Sequence, residues 1–163
     1  MTAIDLLMND HKEAMGMIEQ LENSDMEQLE TAAKDTTAVR SKEDLFNKLK
    51  NALTLHTQLE ERVFYPALES FDETRDLVQE SYQEHQDVDD LLNEMAGLSP
   101  TDEEWMDMLT ELKDNLDHHV DEEEHEMFPK AEKLLGQNKL QDMGRQMQEM
   151  KGGRTATATM KRK

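Results

Sequence analysis

The sequence predicts an all-α protein, an up-down-up-down four-helix bundle with a short extra C-terminal helix. The makeup is 36% hydrophobic and 4% aromatic, with three Pro, six Gly and no Cys, which suits helices better than a sheet rich in Val, Thr and aromatics. Four long segments carry apolar residues at alternating steps of three and four, the spacing of one helix face. Their connections are short, which favours antiparallel neighbours around the single core that 163 residues can build.

The first helix is expected over residues 3–22, with Thr2 and Asp5 as its cap and a seam of Ile4, Leu7, Ala14, Ile18 and Leu21, in which His11 fills the missing step. From residue 23 to 40 the pattern weakens, so a loop with a short helix, or an early start to the second helix, would fit. Ser41 with Asp44 resembles an N-cap, and Leu45, Leu49, Ala52, His56, Leu59 and Val63 form the next seam, in a helix running to about residue 69. A third helix, about residues 73–95, has Val78, His85, Val88, Leu92 and Met95 inward and ends at Ala96-Gly97, where a left-handed cap is expected. Thr101 and Glu104 read as a capping box opening the fourth helix, whose seam is Trp105, Leu109, Leu112, Leu116, His119 and Glu123. That register selects His119 over His118, which lies about 100° round the helix.

Gly136 should close the fourth helix, giving a bundle over residues 1–136. Residues 137–151 form an amphipathic helix with Leu140, Met143, Met147 and Met150 on one side, expected to pack across the bundle. Residues 152–163 are read as a disordered basic tail, since RTATATMKRK has no apolar periodicity.

Two stretches carry the chemistry. HTQLEERVFYP, His56 to Pro66, returns as HVDEEEHEMFP, His119 to Pro129. Each places His and Glu four residues apart, hence on one helix face about a turn apart, as a two-toothed clamp: His56 with Glu60, His119 with Glu123. In an up-down bundle His11 and His85 reach depths of roughly 12 to 18 Å, level with His56 and His119. Four imidazoles and two carboxylates buried together without a cation would be costly to desolvate. They exceed what one open tetrahedral site needs, and a carboxylate has two oxygens with which it could bridge, so the count points to two ions. Without Cys, such a site uses imidazole and carboxylate alone.

The sequences DH in the first helix, HTQLEERVFYPAL in the second, EH in the third and HHVDEEEHEMFPKA in the fourth resemble hemerythrin-like, or HHE cation-binding, domains over about residues 3–135. The resemblance implies a non-haem di-iron centre, oxo- or hydroxo-bridged, held by His11, His56, Glu60, His85, His119 and Glu123. Respiratory hemerythrins have a second histidine four residues after the third-helix ligand and a His-x4-Asp pair in the fourth helix. Asp89 and a His-x3-Glu pair stand there in this chain, closer to branches associated with iron handling, nitric oxide or peroxide. The expectation is a protein reacting with dioxygen, peroxide or nitric oxide under oxidative or nitrosative stress, with catalase- or peroxidase-like turnover as one form. The alternatives are an iron store, sensor or donor serving a redox or iron-acceptor partner, and a metal-free interaction bundle. Asp89, Glu84 and Tyr82 are secondary candidates near the cluster. His118 and His125 are read as surface residues, and Glu61, Glu122 and Glu124 as a solvated acidic face.

The formal charge of −20 repels nucleic acid and anionic membrane. Neither a signal peptide nor a membrane span is read from MTAIDLLMNDHK or beyond, so a cytoplasmic protein is expected. The thirteen Met are read mainly as flexible core filler.

Overall fold

A computed structural model describes residues 1–23 and 36–155 and contains helices α1 (Ala3–Glu22), α2 (Thr36–Leu59), α3 (Tyr65–Glu69), α4 (Asp72–Ala96), α5 (Glu103–Glu122) and α6 (Phe128–Thr155). Two π-helical turns, Glu60–Phe64 and Glu123–Met127, join α2 to α3 and α5 to α6. The bundle is therefore α1, α2–α3, α4 and α5 with the first turns of α6, packed in a ring that closes from α5 back to α1. Among the described residues there is no strand, and no helix is long and apolar enough to cross a membrane.

The Thr2–Asp5 capping box forms as expected, each side chain meeting the other's backbone N–H. Other ends differ. The early start of the second helix is what occurs: α2 already runs through Ser41, which is not a cap, while the weak segment 24–35 lies outside the described residues. Asp102, not Thr101, stands at the start of α5, and its carboxylate instead accepts from the Ser99 N–H at 3.1 Å. Gly97 has φ −88, so α4 ends without a left-handed residue. The positive φ belongs to Gly136, at 79, where α6 kinks sharply. The helix beyond it continues through Thr155, past the expected end at residue 151, and residues 156–163 of the expected tail lie outside the description.

The seams of α1, α4 and α5 are buried as read. In α2 the buried face is rotated: Phe46, Leu49, Leu53, His56 and Leu59 point inward, while Leu45, Ala52 and Val63 are only half-buried. Phe46 packs edge-on to Trp105, with centroids 5.6 Å apart, so the aromatic pair fixes the rotation. Two apolar clusters result. One, with Ile18, Leu49, Leu92 and Trp105, fills the end of the bundle near Leu21 and Met95. The other, with Leu7, Phe64, Tyr65 and Phe128, also takes in Leu140, Met143 and Met147, so the C-terminal helix folds back over the first turn of α1. Gly144 permits that crossing, since a Cβ there would sit 2.5 Å from the Met1 carbonyl oxygen. Between the two apolar clusters lies a polar layer.

Candidate metal centre

The polar layer contains all six residues singled out by the sequence. His11, His56, Glu60, His85, His119 and Glu123 are each buried, the two carboxylates almost completely. Their donor atoms fall into two groups: His11, His56, Glu60 and Glu123, and His85, His119, Glu60 and Glu123, with atoms in each group within 4.8 Å of one another. Both groups use the same two carboxylates. Glu60 Oε1 lies 3.3 Å from His56 Nε2 and 2.9 Å from His85 Nε2, while Glu123 approaches His11 Nε2 at 3.1 Å and His119 Nε2 at 3.3 Å.

The turns that carry the carboxylates have a local cause. Pro66 and Pro129 cannot donate a backbone hydrogen bond, so the helical ladder ahead of each is short of a donor. In each copy the residue before Pro, Tyr65 or Phe128, donates five residues back to the carbonyl of Glu60 or Glu123, making a π turn. The extra residue per turn puts Phe64 and Tyr65, two neighbours in sequence, both fully inside.

Behind each imidazole stands an acid on an adjacent helix. Asp10 Oδ2 lies 2.9 Å from His56 Nδ1, Glu61 Oε2 2.7 Å from His85 Nδ1, Glu84 Oε1 2.6 Å from His119 Nδ1, and Glu124 Oε2 2.8 Å from His11 Nδ1. Each helix thus supports the histidine of the next, and the fourth returns to the first. A carboxylate at Nδ1 keeps the proton there and turns the Nε2 lone pair toward the centre, which raises its basicity as a ligand. Glu61 and Glu124 are therefore not merely a solvated face, and Glu84 acts through His119 rather than on the cluster. Their clue in the sequence was adjacency: Asp10-His11, Glu84-His85, Glu60-Glu61 and Glu123-Glu124 each put an acid one step from a ligand.

Tyr65 is the aromatic that enters the centre. Its hydroxyl donates a short hydrogen bond to Glu123 Oε2 and lies 3.2 Å from His85 Nε2, and its ring stacks on His85 at 5.3 Å. Tyr82 sits one ring further out, edge-on to Tyr65 at 5.4 Å. Asp89 is exposed and belongs to neither ligand group. His118 and His125 are exposed as expected, and His118 pairs with Glu84 and Glu122 on the surface.

Electrostatics identifies what the layer requires. Burial alone would lower the His56 imidazolium, but Glu60 and Asp10 push it up to about 10. Against the same burial, Glu123 and Glu60 hold His119 well above the usual histidine range. Glu60 stays well below the usual carboxylate range, because the positive charge of His56 beside it outweighs desolvation. Burial and the negative charges of Glu123 and Glu60 push the Tyr65 phenol far up, keeping it a donor. Even so, His11 Nε2, His56 Nε2, His119 Nε2, both Glu60 oxygens and Glu123 Oε1 are buried without a hydrogen-bond partner. Such orphaned atoms cost about 1–3 kcal/mol each, and all six face one another. Cations held among them would satisfy them together, so the residues fit a metal site.

Two spaces adjoin the layer. An apolar cavity with ≈ 20 Å³ of room, bounded by Ala14, Leu53, Val88 and Leu116, lies against the four imidazoles. An open cleft of ≈ 400 Å³ between α2 and α4, lined by Gln58, Glu61, Tyr82, Gln86 and Asp89, also reaches His85.

Comparison with known proteins agrees with this geometry. Residues 2–131 match the model of the hemerythrin HHE cation binding domain. A hemerythrin-like protein of Schizosaccharomyces pombe is 27% identical over 135 residues, covering 82% of this chain and 61% of that protein. A DNA nickase of Nostoc sp. is 34% identical over 86 residues, 53% of this chain and 24% of the nickase. The chain thus spans less than two thirds of either relative. A crystal structure of a hemerythrin HHE cation binding domain-containing protein from Mycobacterium kansasii superposes with a TM-score of 0.77 at 22% identity, over 99% of this chain and 93% of that one.

Proposed function

Because the chain belongs to the hemerythrin HHE cation binding domain family, we propose that its buried layer holds two iron ions and reacts with dioxygen, peroxide or nitric oxide in an oxidative or nitrosative stress response. The observation that carries this reading is the pair of four-residue ligand groups that share Glu60 and Glu123. Two carboxylates serving two groups of histidines would hold a pair of metals close together. A redox-active metal pair supplies Lewis acidity and electrons at one place.

This chain's own residues do the rest. The four imidazoles and two carboxylates would hold and orient the pair, and the four acids at Nδ1 fix each ring. Tyr65 holds a proton 3.2 Å from His85 Nε2 and donates it toward Glu123, so it restrains that carboxylate and keeps a donor beside the centre. Ala14, Leu53, Val88 and Leu116 make the small cavity against the imidazoles apolar, which disfavours water and bulky organic substrates there. Their cavity of ≈ 20 Å³ has room for about one water-sized molecule, which fits a diatomic gas or peroxide.

A second reading, an iron store or donor, is favoured by the open cleft beside Glu61 and His85, whose carboxylates, amides and hydroxyls suit a hydrated cation. The six orphaned buried atoms count against a metal-free interaction bundle. A chain of net charge −20 repels a phosphate backbone, which counts against a nucleic-acid substrate like that of the Nostoc nickase.

Metal analysis and absorption spectra of the chain, before and after peroxide, test the proposal. About two irons per chain, with absorption that changes on peroxide addition and with dioxygen release or peroxide loss, is the expected result. A full iron load that peroxide leaves unchanged removes the reactive reading; ready transfer of that iron to an apo acceptor would then favour the donor.

A further inference from the structure

The helix after Gly136 lies beyond the residues that the family model matches, 2–131, yet it reaches the centre. Leu140, Met143 and Met147 are buried against the first turns of α1, and the close crossing at Gly144 leaves no space for sliding. Two turns further on, Lys151 sets its Nζ 2.5 Å from Asp10 Oδ1. The other oxygen of Asp10 lies 2.9 Å from His56 Nδ1, and His56 Nε2 faces Glu60. A chain of contacts therefore runs from an ammonium on the C-terminal helix, through one carboxylate and one imidazole, to the His11/His56 ligand group. In the other half the corresponding acid is Glu84, whose outer oxygen meets His118 at 3.3 Å; His118 is exposed and also pairs with Glu122.

The chemistry of this relay has a definite sign. A carboxylate at Nδ1 strengthens a histidine ligand by drawing on its N–H proton. A fixed ammonium on the same carboxylate withdraws part of that charge, so the imidazole is a weaker donor to a metal. Asp10 is only 11% exposed, so water screens the pair incompletely. Lys151 is itself 32% exposed, which limits the effect to a moderate one.

We propose that Lys151 is a positioning residue that makes the two metal positions unequal, restraining Asp10 so that the His11/His56 position holds a divalent cation less tightly than the His85/His119 position. This rests on the reading of the layer as a two-cation centre. The consequence is a labile position beside a retentive one, set by a helix outside the matched domain.

The test is titration of the full chain with Co2+, followed by its visible absorption against a competing chelator, for the natural protein, Lys151→Met and Lys151→Arg. The natural chain is expected to take two equivalents of unequal affinity. Lys151→Met should tighten the weaker equivalent about tenfold, the lower end of the range for outer-shell changes, and leave the tighter one alone. Lys151→Arg, which keeps the charge, should titrate like the natural chain. A residue that merely pins the helix gives a different pattern: Lys151→Met would lower the melting temperature of the metal-free protein and leave both equivalents unchanged or weaken both, which overturns the proposal. Fewer than two equivalents in the natural chain would instead overturn the two-cation reading on which it stands.

Discussion

The α1–α2 half of the centre and the α4–α5 half are near copies of one another. Exchanging them swaps His11 with His85, His56 with His119, Glu60 with Glu123 and Tyr65 with Phe128. The two histidine pairs have ring separations of 4.9 and 5.0 Å and interplanar angles of 66° and 65°. The supporting acids exchange as well, Asp10 with Glu84 and Glu61 with Glu124. Departures from the copy are few. Tyr65 brings a hydroxyl to Glu123 and His85, whereas Phe128 only stacks on His11, at 6.0 Å. Lys151 stands behind Asp10, and His118 behind Glu84. The repeated parts are those that hold charge in a buried place; the unrepeated parts differentiate the two halves once that is done.

Removing a shared carboxylate breaks both halves at once and is the largest effect expected. Glu123→Ala takes an oxygen ligand from each group, so metal content should fall from about two to below about one per chain. His56→Ala or His119→Ala touches one group, and each should leave about one ion behind. Elemental analysis of the folded proteins decides this. Two ions retained by Glu123→Ala would mean that the halves do not share their carboxylates.

Tyr65→Phe makes the two halves alike and is expected to act at intermediate strength. It deletes a buried hydroxyl that donates to a carboxylate, a bond worth about 1.5–3 kcal/mol when the acceptor is charged. Denaturant unfolding of the metal-free protein should show that loss. In the iron-loaded protein, metal content should persist while the rate of peroxide loss changes. If Tyr65→Phe leaves both unaltered, the hydroxyl is incidental and the halves are functionally equivalent.

The repeated histidines and shared carboxylates were legible in the sequence; their supporting acids and the unrepeated parts were largely not. Seam spacing selected His119 over His118, and level depths in an antiparallel bundle brought in His11 and His85, because helical phase is a property of one segment at a time. The rotation of α2 toward Phe46 and Leu53 depended on Trp105, a partner fifty-nine residues from Phe46 in the chain, and no local pattern encodes that choice. Helix starts at Ser41 and Thr101 failed for a similar reason: cap chemistry is weak, about 1 kcal/mol, and tertiary packing overrides it. Glu61 and Glu124 looked like surface charge, since one helical step separates each of them from Glu60 or Glu123. Only the closeness of the next helix turns them inward. Tyr65 went unread as a neighbour of the centre, because the simple 3.6-residue count omits the extra residue of the π turn.

The smallest effect compares the halves by proton uptake in the metal-free protein. Glu60 and Asp10 raise His56 to about 10, and Glu123 and Glu60 raise His119, despite burial that opposes both. Between the ordinary histidine value near 6.5 and the raised folded value, the folded chain keeps protons that the unfolded chain has released. Stability from His56 is therefore complete below about pH 6.5 and is lost as pH rises toward 10, with a slope of at most about 1.4 kcal/mol per pH unit for each proton. Metal binding must displace the same protons, so it strengthens as pH rises, opposite in sign to the stability of the empty chain. Replacing either histidine by Gln should flatten the slope of metal-free stability between pH 7 and 9, as followed by urea unfolding. Equal flattening for His56→Gln and His119→Gln would show that the halves are electrostatic copies. A flatter slope for only one would place their difference in the charge around the imidazoles rather than in the Tyr65 hydroxyl.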